Sequence, residues 1–237
     1  MDALLALIDA NKIFNLTTLG HYWDGFVMTI QLVASSLLIG LIISVPLAVM
    51  RTSKNPFINY PVWFFTYVFR GTPLLIQLYM IYYGVTLIDG IQESVFWVIF
   101  ERAYYPCLIA FTLNTAAYTT EIFRGAIEAT PKGEIEAAKA YGMSWLKRMT
   151  RIVLPSAFRR AIPAYSNEVI FMLHASAIAS TVTIIDLTGA ARDIYARYYA
   201  PFESFLFVAA IYLSITFTII FIFKQLEKRL LAHLQPR

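Results

Sequence analysis

Long apolar stretches dominate the pattern of hydrophobic and polar positions along the chain. A helix that crosses a bilayer needs about 20 mostly apolar residues. Stretches of this kind cover about residues 26–50, 57–88, 105–123, 161–183 and 205–223. The second is too long for one straight span and contains Gly71 and Pro73, and the fourth is diluted by Asn167, Glu168 and His174. The pattern predicts an all-α membrane protein with five transmembrane helices.

Lysine and arginine set the expected orientation, because cytoplasmic loops carry an excess of both. An outer N-terminus places the loops after the first and third spans inside, together with the C-terminal tail, and these segments hold most of the basic residues. The opposite side holds Lys12, Arg102, Arg192 and Arg197. The C-terminus is therefore expected to be cytoplasmic. Residues 1–14 lack a basic start followed by a long apolar core, so no cleavable signal peptide is expected.

The composition agrees with a membrane protein. The chain is 59% hydrophobic and 14% charged, whereas soluble domains have about 25% charged residues. No linker or repeat divides it, so one domain over 1–237 with a core of about 25–224 is expected. The single cysteine, Cys107, excludes an internal disulfide and is expected only to pack. The net charge of +4 reflects the basic inner loops, and nothing indicates nucleic-acid binding.

The hydrophilic segment 124–160 lies between the third and fourth predicted spans. Pro131 and the Glu and Ala residues after it favour a short helix, and Gly142 suits the left-handed position that ends it. A second short helix is expected over about 144–152, stopping at Pro155. Loops this long are uncommon unless functional. The residues alone leave two interpretations equally open: a docking surface for a cytoplasmic partner, or an amphipathic loop on anionic lipid.

One motif in this segment resembles the EAA loop of ABC importer permeases, with the spacing of that family. It consists of Glu136, Ala137, Ala138, Gly142 and an Ile-Val-Leu-Pro run at 152–155. The resemblance implies cytoplasmic coupling helices that dock into a groove of an ATPase subunit. It also implies that Ala137, Ala138 and Gly142 permit close packing, and that Glu136 is a polar contact at the joint.

Further motifs narrow the resemblance to polar amino-acid permeases. Residues 69–74 (Phe-Arg-Gly-Thr-Pro-Leu) resemble the Arg-Gly-Thr-Pro signature of that group, and residues 113–125 match it as well. Residues 163–175 resemble the M-type permeases of importers for histidine, lysine, arginine and ornithine. The resemblance extends over nearly the whole chain from Gly25 onward.

The resemblance also implies partners and a location. These are two copies of an ATPase that binds ATP and Mg, a distinct Q-type permease, a periplasmic substrate-binding protein, an amino-acid substrate and membrane lipid. No cofactor is expected in this chain, and its location is the bacterial inner membrane, crossed several times.

Ionisable and polar residues within the spans form the candidate substrate path, because such groups are costly in hydrocarbon unless they face a cavity or a partner. The path consists of Arg70, Thr72, Asn114, Tyr118, Glu121, Glu168 and His174. Asn114, Tyr118 and Glu121 fall at i, i+4 and i+7 and share one helical face. The hypothesis gives the substrate cation to Glu121 and hydrogen bonds to Asn114 and Tyr118. Arg70 is the candidate for the α-carboxylate, which guanidinium binds bidentately.

Structural roles remain open for each charged candidate. Glu121 is placed to pair with Arg124, and Arg70 with a neighbouring carboxylate. The alternatives for Glu168 are a pair with Arg159 or Arg160, or a contact between permeases. His174 is more often a packing histidine. Four further charged residues are interpreted mainly as a solvated surface of the outer loop: Asp186, Arg192, Asp193 and Arg197. The alternative for them is contact with the binding protein.

Other function classes fit less well. No phosphate-binding Gly-x-x-x-x-Gly-Lys-Ser/Thr loop occurs, so ATP hydrolysis by that route requires a separate subunit. A secondary transporter would explain buried charges, but internal repeats are missing. An enzyme is disfavoured because the chain has neither a His-Glu-x-x-His zinc motif nor a Gly-x-Ser-x-Gly elbow. A permease for another polar amino acid or an opine remains an alternative.

Overall fold

The computed structural model describes residues 13–231. The expectation for Lys12 and most of the N-terminal segment 1–14 lie outside these residues. Within them the fold is helical and contains no strand. The helices are α1 Leu16–Arg51, α2 Pro56–Gly71, α3 Leu74–Tyr82, α4 Trp97–Phe100, α5 Tyr104–Glu128, α6 Lys132–Ala140, α7 Trp145–Arg148, α8 Leu154–Ala175, α9 Leu187–Tyr198 and α10 Pro201–Leu230. Short 3₁₀ segments cover Val85–Leu87, Ile91–Glu93 and Ser176–Val182, and a π-helical turn covers Met149–Val153.

Two of the helices between residues 13 and 231, α1 and α10, are each long and apolar enough to cross a membrane. A third candidate is the segment Trp145–Val182 together with α9, which are bent by 49° at the break between them. The all-α prediction is confirmed for the described residues. The count of five spans, their orientation and the single-domain boundaries remain predictions.

The second apolar stretch is divided at Thr72 and Pro73, where α2 ends and α3 begins. Proline has no N–H and disfavours a helical conformation in the residue before it. Thr72 accordingly has φ −113° and ψ 143°. At its other end, α2 begins after Asn55, whose side chain accepts a hydrogen bond from the Phe57 N–H, with Pro56 in the first turn.

The bend before α9 is fixed by Asp186, whose carboxylate accepts a hydrogen bond of 2.8 Å from the Gly189 N–H. Asp186 is fully buried, so its interpretation as a solvated loop residue is wrong. Its side chain caps a helix, and the Tyr212 hydroxyl reaches it at 3.5 Å. The other members of that predicted group, Arg192, Asp193 and Arg197, are exposed.

The loop between α5 and α8 contains α6 where a short helix was predicted. Gly142 has φ +69°, and its N–H donates to the Lys139 carbonyl at 2.9 Å while the Met143 N–H donates to the Ala138 carbonyl at 3.1 Å. This pair of bonds is the Schellman pattern that closes a helix. The left-handed conformation predicted for Gly142 is therefore confirmed.

The predicted stop at Pro155 is wrong. Helix α7 continues through the π-helical turn Met149–Val153 directly into α8, which contains Pro155 in its first turn. A proline ends a helix when its ring meets the carbonyl of the preceding turn. The wider turn, closed by a bond from the Leu154 N–H to the Met149 carbonyl, accommodates the ring.

The described residues form two compact units, and several helices contribute to both. One unit contains residues 13–36, 74–111 and 171–217, and the other contains 37–73, 112–170 and 218–231. The first has a core of Tyr22, Leu187, Ala190, Ala191, Ile194 and Val208. The second has a core of Ala48, Phe123, Ala126, Ile127, Val153, Ala157 and Ala161. Cys107 is fully buried in the first unit, as expected of a packing residue.

Candidate functional site

Two residues of the predicted polar face of α5 hold the end of α2. The Asn114 amide donates to the Phe69 carbonyl at 3.2 Å, and the Tyr118 hydroxyl donates to the Arg70 carbonyl at 3.2 Å. In a continuous helix the Phe69 carbonyl would accept from the N–H of residue 73, which Pro73 lacks. The two side chains therefore donate to carbonyls at the end of α2, beside the break at Pro73.

Arg70 lies at this end of α2. Its guanidinium carbon lies 5.3 Å from the centroid of the Tyr118 ring, a cation–π geometry, and the residue is exposed. Arg70 takes part in none of the ion pairs found among residues 13–231, so the alternative of a direct salt bridge to a carboxylate is not observed. The guanidinium is thus held in place by an aromatic ring, which leaves its N–H groups able to bind a carboxylate.

Glu168 is a buried carboxylate in the same unit as Arg70. It accepts a hydrogen bond of 2.7 Å from the Thr115 hydroxyl of α5 and interacts electrostatically with Arg70. The alternative pair with Arg159 or Arg160 is not observed: Arg160 instead contacts Ser156 within its own helix. A buried carboxylate is costly without a cationic partner. The environment of Glu168 therefore favours a cation beside it.

Glu121 already has donors from three helices. Its carboxylate accepts from Arg51 Nε of α1 at 3.1 Å, from the Thr66 hydroxyl of α2 at 3.0 Å and from Arg124 Nε of α5 at 2.6 Å. Its side chain is 12% exposed. The predicted alternative, a pair with Arg124, is observed. Arg51 and Thr66 were missed by sequence reasoning, because contacts between helices distant in sequence leave no pattern in one chain.

Thr72 and His174 complete the predicted path residues. The Thr72 hydroxyl donates to the Val68 carbonyl at 2.8 Å, which satisfies another carbonyl at the end of α2. His174 belongs to the other unit. Its Nε2 lies 3.2 Å from the Thr216 hydroxyl oxygen, and the residue is exposed. The structure groups Arg70, Thr72, Asn114 and Tyr118 around one helix end.

The predicted coupling residues, which lie in α6 or directly after it, differ in burial. Ala138 is buried, whereas Glu136, Ala137 and Gly142 are exposed. Tyr141, directly after the helix, is 88% exposed.

Comparison with known proteins gives a consistent result. A family model described as a binding-protein-dependent transport system inner membrane component matches residues 36–232. The histidine/lysine/arginine/ornithine transport system permease protein HisM of Escherichia coli (strain K12) is 48% identical over 222 residues, covering 93% of each chain. The nopaline transport system permease protein NocM of Agrobacterium fabrum is 43% identical over 210 residues, covering 88% of this chain and 87% of that one.

The fold agrees with these relatives. A crystal structure of an amino acid ABC transporter with histidines matches with a TM-score of 0.80 and 32% identity, covering 90% of this chain and 96% of that chain. These matches confirm the resemblance to ABC importer permeases. The chain therefore belongs to the family of binding-protein-dependent transport system inner membrane components.

Proposed function

We propose that the chain is the permease subunit of a bacterial ABC importer that moves basic amino acids of the histidine, lysine, arginine and ornithine class into the cytoplasm. The names of its HisM relatives support this class. The observation that carries the proposal is the placement of Arg70, over the Tyr118 ring and without an ion pair, in electrostatic range of the buried Glu168.

An α-amino acid with a cationic side chain needs a cation for its carboxylate and an anion for a positive group. Arg70 supplies the cation and binds the carboxylate bidentately. Glu168 supplies the anion, since its described hydrogen bond comes from a neutral hydroxyl. Glu121 is the weaker candidate for that role, because Arg51 and Arg124 already neutralise it. Thr72 and His174 remain predicted residues of the path.

Energy comes from outside the chain in this proposal. Helix α6, with Glu136, Ala137 and Ala138, docks onto an ATPase subunit present in two copies, which binds ATP and Mg. Helix α6 has an exposed face, and it ends at Gly142 in a left-handed backbone turn. Both features support such docking. A Q-type permease completes the path, and a periplasmic binding protein delivers substrate. The chain catalyses no reaction itself and crosses the inner membrane five times, with its C-terminus in the cytoplasm.

Uptake by the complete complex in proteoliposomes tests the proposal. Wild-type complex supplied with ATP inside is expected to accumulate radiolabelled lysine, arginine, ornithine and histidine. The variant Arg70→Gln is expected to lose about tenfold or more in uptake at low substrate, since it loses one bidentate charged contact. Normal uptake by that variant contradicts the assignment of Arg70, and no basic amino-acid uptake by the wild type contradicts the proposed substrate class.

An opine or another polar amino acid is the second candidate substrate, favoured by 43% identity to NocM. Including nopaline, octopine, glutamine and glutamate in the same panel separates the two. Uptake that proceeds on an ion gradient without ATP would instead favour a secondary transporter.

A further inference from the structure

Helices α1, α2 and α5 meet at a single carboxylate. Glu121 of α5 binds Arg51 at 3.1 Å and the Thr66 hydroxyl at 3.0 Å, and within its own helix it binds Arg124 at 2.6 Å. Arg51 is the last residue of α1 and also contacts the Asn59 side chain of α2. We call Glu121, Arg51 and Thr66 the three-helix joint.

The joint lies on α5 between two features with proposed roles. Toward the C-terminus, α5 ends at Glu128 and is followed closely by α6, the coupling helix. Toward the N-terminus, one to two turns away along the same face, Tyr118 and Asn114 hold the end of α2 that carries Arg70. Helix α5 therefore contacts α2 both at the joint and at the substrate-facing end.

We propose that Glu121 is a positioning residue that couples the movement of α6 to the placement of Arg70, by fastening α5 to α1 and α2. This inference rests on the proposed function. A displacement of α6 reaches α5 through the short connection between them. With the joint closed, α2 moves together with α5 because it is held at Thr66 as well as at its end. Without the contacts of Glu121, α2 is held to α5 by the hydrogen bonds at its end, so a shift of α5 moves α2 less completely.

The chemistry of the joint supports a fastening role over substrate binding. Two guanidinium groups and one hydroxyl donate to the same carboxylate, so a substrate cation would have to displace a charged partner. Removing the carboxylate leaves Arg51 and Arg124 facing each other without their shared counter-ion. Partly buried pairs of this kind are sensitive to loss of one partner, which makes the joint a defined point at which the three helices separate.

The test measures ATP hydrolysis and lysine uptake in parallel, using the complete complex in proteoliposomes. Glu121→Gln is expected to lower uptake per ATP hydrolysed by about fivefold or more, with the KM for lysine within about twofold of wild type. Arg51→Gln is expected to act in the same direction. The double variant is expected to be no worse than the stronger single one, because contacting residues that act as a unit are not additive. Co-purification of the subunits verifies assembly.

Glu128→Gln is the matched control, because it also removes a carboxylate from α5, but one whose ion pair stays within that helix. Its coupling ratio is expected to stay within about twofold of wild type. Should Glu121→Gln fail to assemble, Thr66→Val removes one donor of the joint at nearly constant volume and is expected to lower the ratio in the same direction. Normal coupling in both Arg51→Gln and Thr66→Val overturns the proposal.

A raised KM in Glu121→Gln with an unchanged coupling ratio also overturns the proposal, and it assigns Glu121 to the substrate instead. These outcomes can be distinguished from a failure of the proposed function, because in that case the wild-type complex takes up no basic amino acid. The coupling ratio is in that case measured with whichever substrate of the panel the wild type transports.

Discussion

Tyr118 contacts both the backbone and the side chain of Arg70. Its hydroxyl donates to the Arg70 carbonyl, and its ring lies beneath the guanidinium. Tyr118→Phe removes only the hydrogen bond, worth about 1 kcal/mol, and is expected to leave uptake within about fivefold of wild type. Tyr118→Ala removes the ring as well and is expected to reduce low-substrate uptake by about tenfold or more. Uptake assays on both variants check this, and equal activities contradict the role assigned to the ring.

Glu168 sets the expected preference for cationic substrates. Glu168→Gln keeps the volume and the hydrogen bond from Thr115 but removes the charge, so in the proposed role of Glu168 lysine loses its partner while glutamine does not. The ratio of lysine to glutamine uptake is expected to fall about tenfold. Glu203→Gln, at an exposed position in the first turn of α10, serves as the control. An unchanged ratio in Glu168→Gln contradicts the assignment.

Sequence reasoning at the scale of residues succeeded where the contact is local. The spacing of Asn114, Tyr118 and Glu121 predicted a common face, and all three contact α2. The distance of three residues predicted the pair of Glu121 with Arg124. The contact with Arg51 could not be predicted, because it depends on how α1 packs beside α5. Periodicity within one helix carries no information on that packing.

Helix α1 approaches α5 closely at Gly40. A Cβ atom at this position would lie 2.5 Å from Thr115 Cγ2, and Thr115 is also the donor to Glu168. Gly40→Ala is therefore expected to destabilise the protein by about 1–3 kcal/mol, seen as a lower midpoint of thermal unfolding in detergent. Gly20→Ala, in the same helix with nothing near its added Cβ, is expected to be neutral or stabilising. Similar midpoints for the two variants contradict the close contact.

Helix α6 depends on the left-handed backbone of Gly142. Alanine at φ +69° is strained by about 1 kcal/mol or more, so Gly142→Ala is expected to loosen the end of α6, the proposed coupling helix, and to lower the ratio of uptake to ATP hydrolysis. Gly133→Ala lies in α6 with open space around its Cβ and is expected to retain coupling. Measuring the ratio for both variants tests the placement of this helix end, and normal coupling in Gly142→Ala contradicts it.

Two prolines show how well the ends of helices can be predicted from the sequence. The break near Pro73 was anticipated, because it combines proline with Gly71 in a stretch too long for one span. The passage through Pro155 was not, since the π-helical turn before it depends on how Met149–Val153 packs. That segment places Val153 in a buried cluster with Ala48, Phe123 and Ala157. Burial of an apolar face outweighs the local tendency of proline to end a helix.

Membrane topology is the prediction that belongs to the whole molecule. The described part of the chain has two helices that qualify as spans alone and a third candidate that is bent, whereas five spans were predicted. The difference arises at α2–α3, which is broken, and at α5, whose C-terminal end carries Glu121, Arg124 and Glu128. Charged groups of a span that pair with each other or face the protein interior are tolerated in membranes. Crossing by these segments is therefore compatible with their composition.

Cysteine labelling tests the topology. The native background is expected to be low, because the one cysteine of the chain, Cys107, is buried. Single cysteines at the exposed positions Arg102, Lys147 and Arg197 report on three different segments between the predicted spans. In sealed spheroplasts an impermeant maleimide is expected to label Arg102→Cys and Arg197→Cys, and to label Lys147→Cys only after the membrane is opened. The unsubstituted chain gives the background.

Each alternative topology predicts its own labelling pattern. If the α2–α3 segment enters and leaves on one side, Arg102→Cys is protected in sealed spheroplasts. If the bent segment before α9 does not cross, Arg197→Cys shares the protection of Lys147→Cys. The five-span arrangement requires opposite accessibility at Lys147 and at both other sites, because α5 lies between the first pair and α8 between the second. With the N-terminus outside and α1 crossing, crossing by both the α2–α3 segment and α5 places α6, with Glu136 and Gly142, on the cytoplasmic side where an ATPase can reach it.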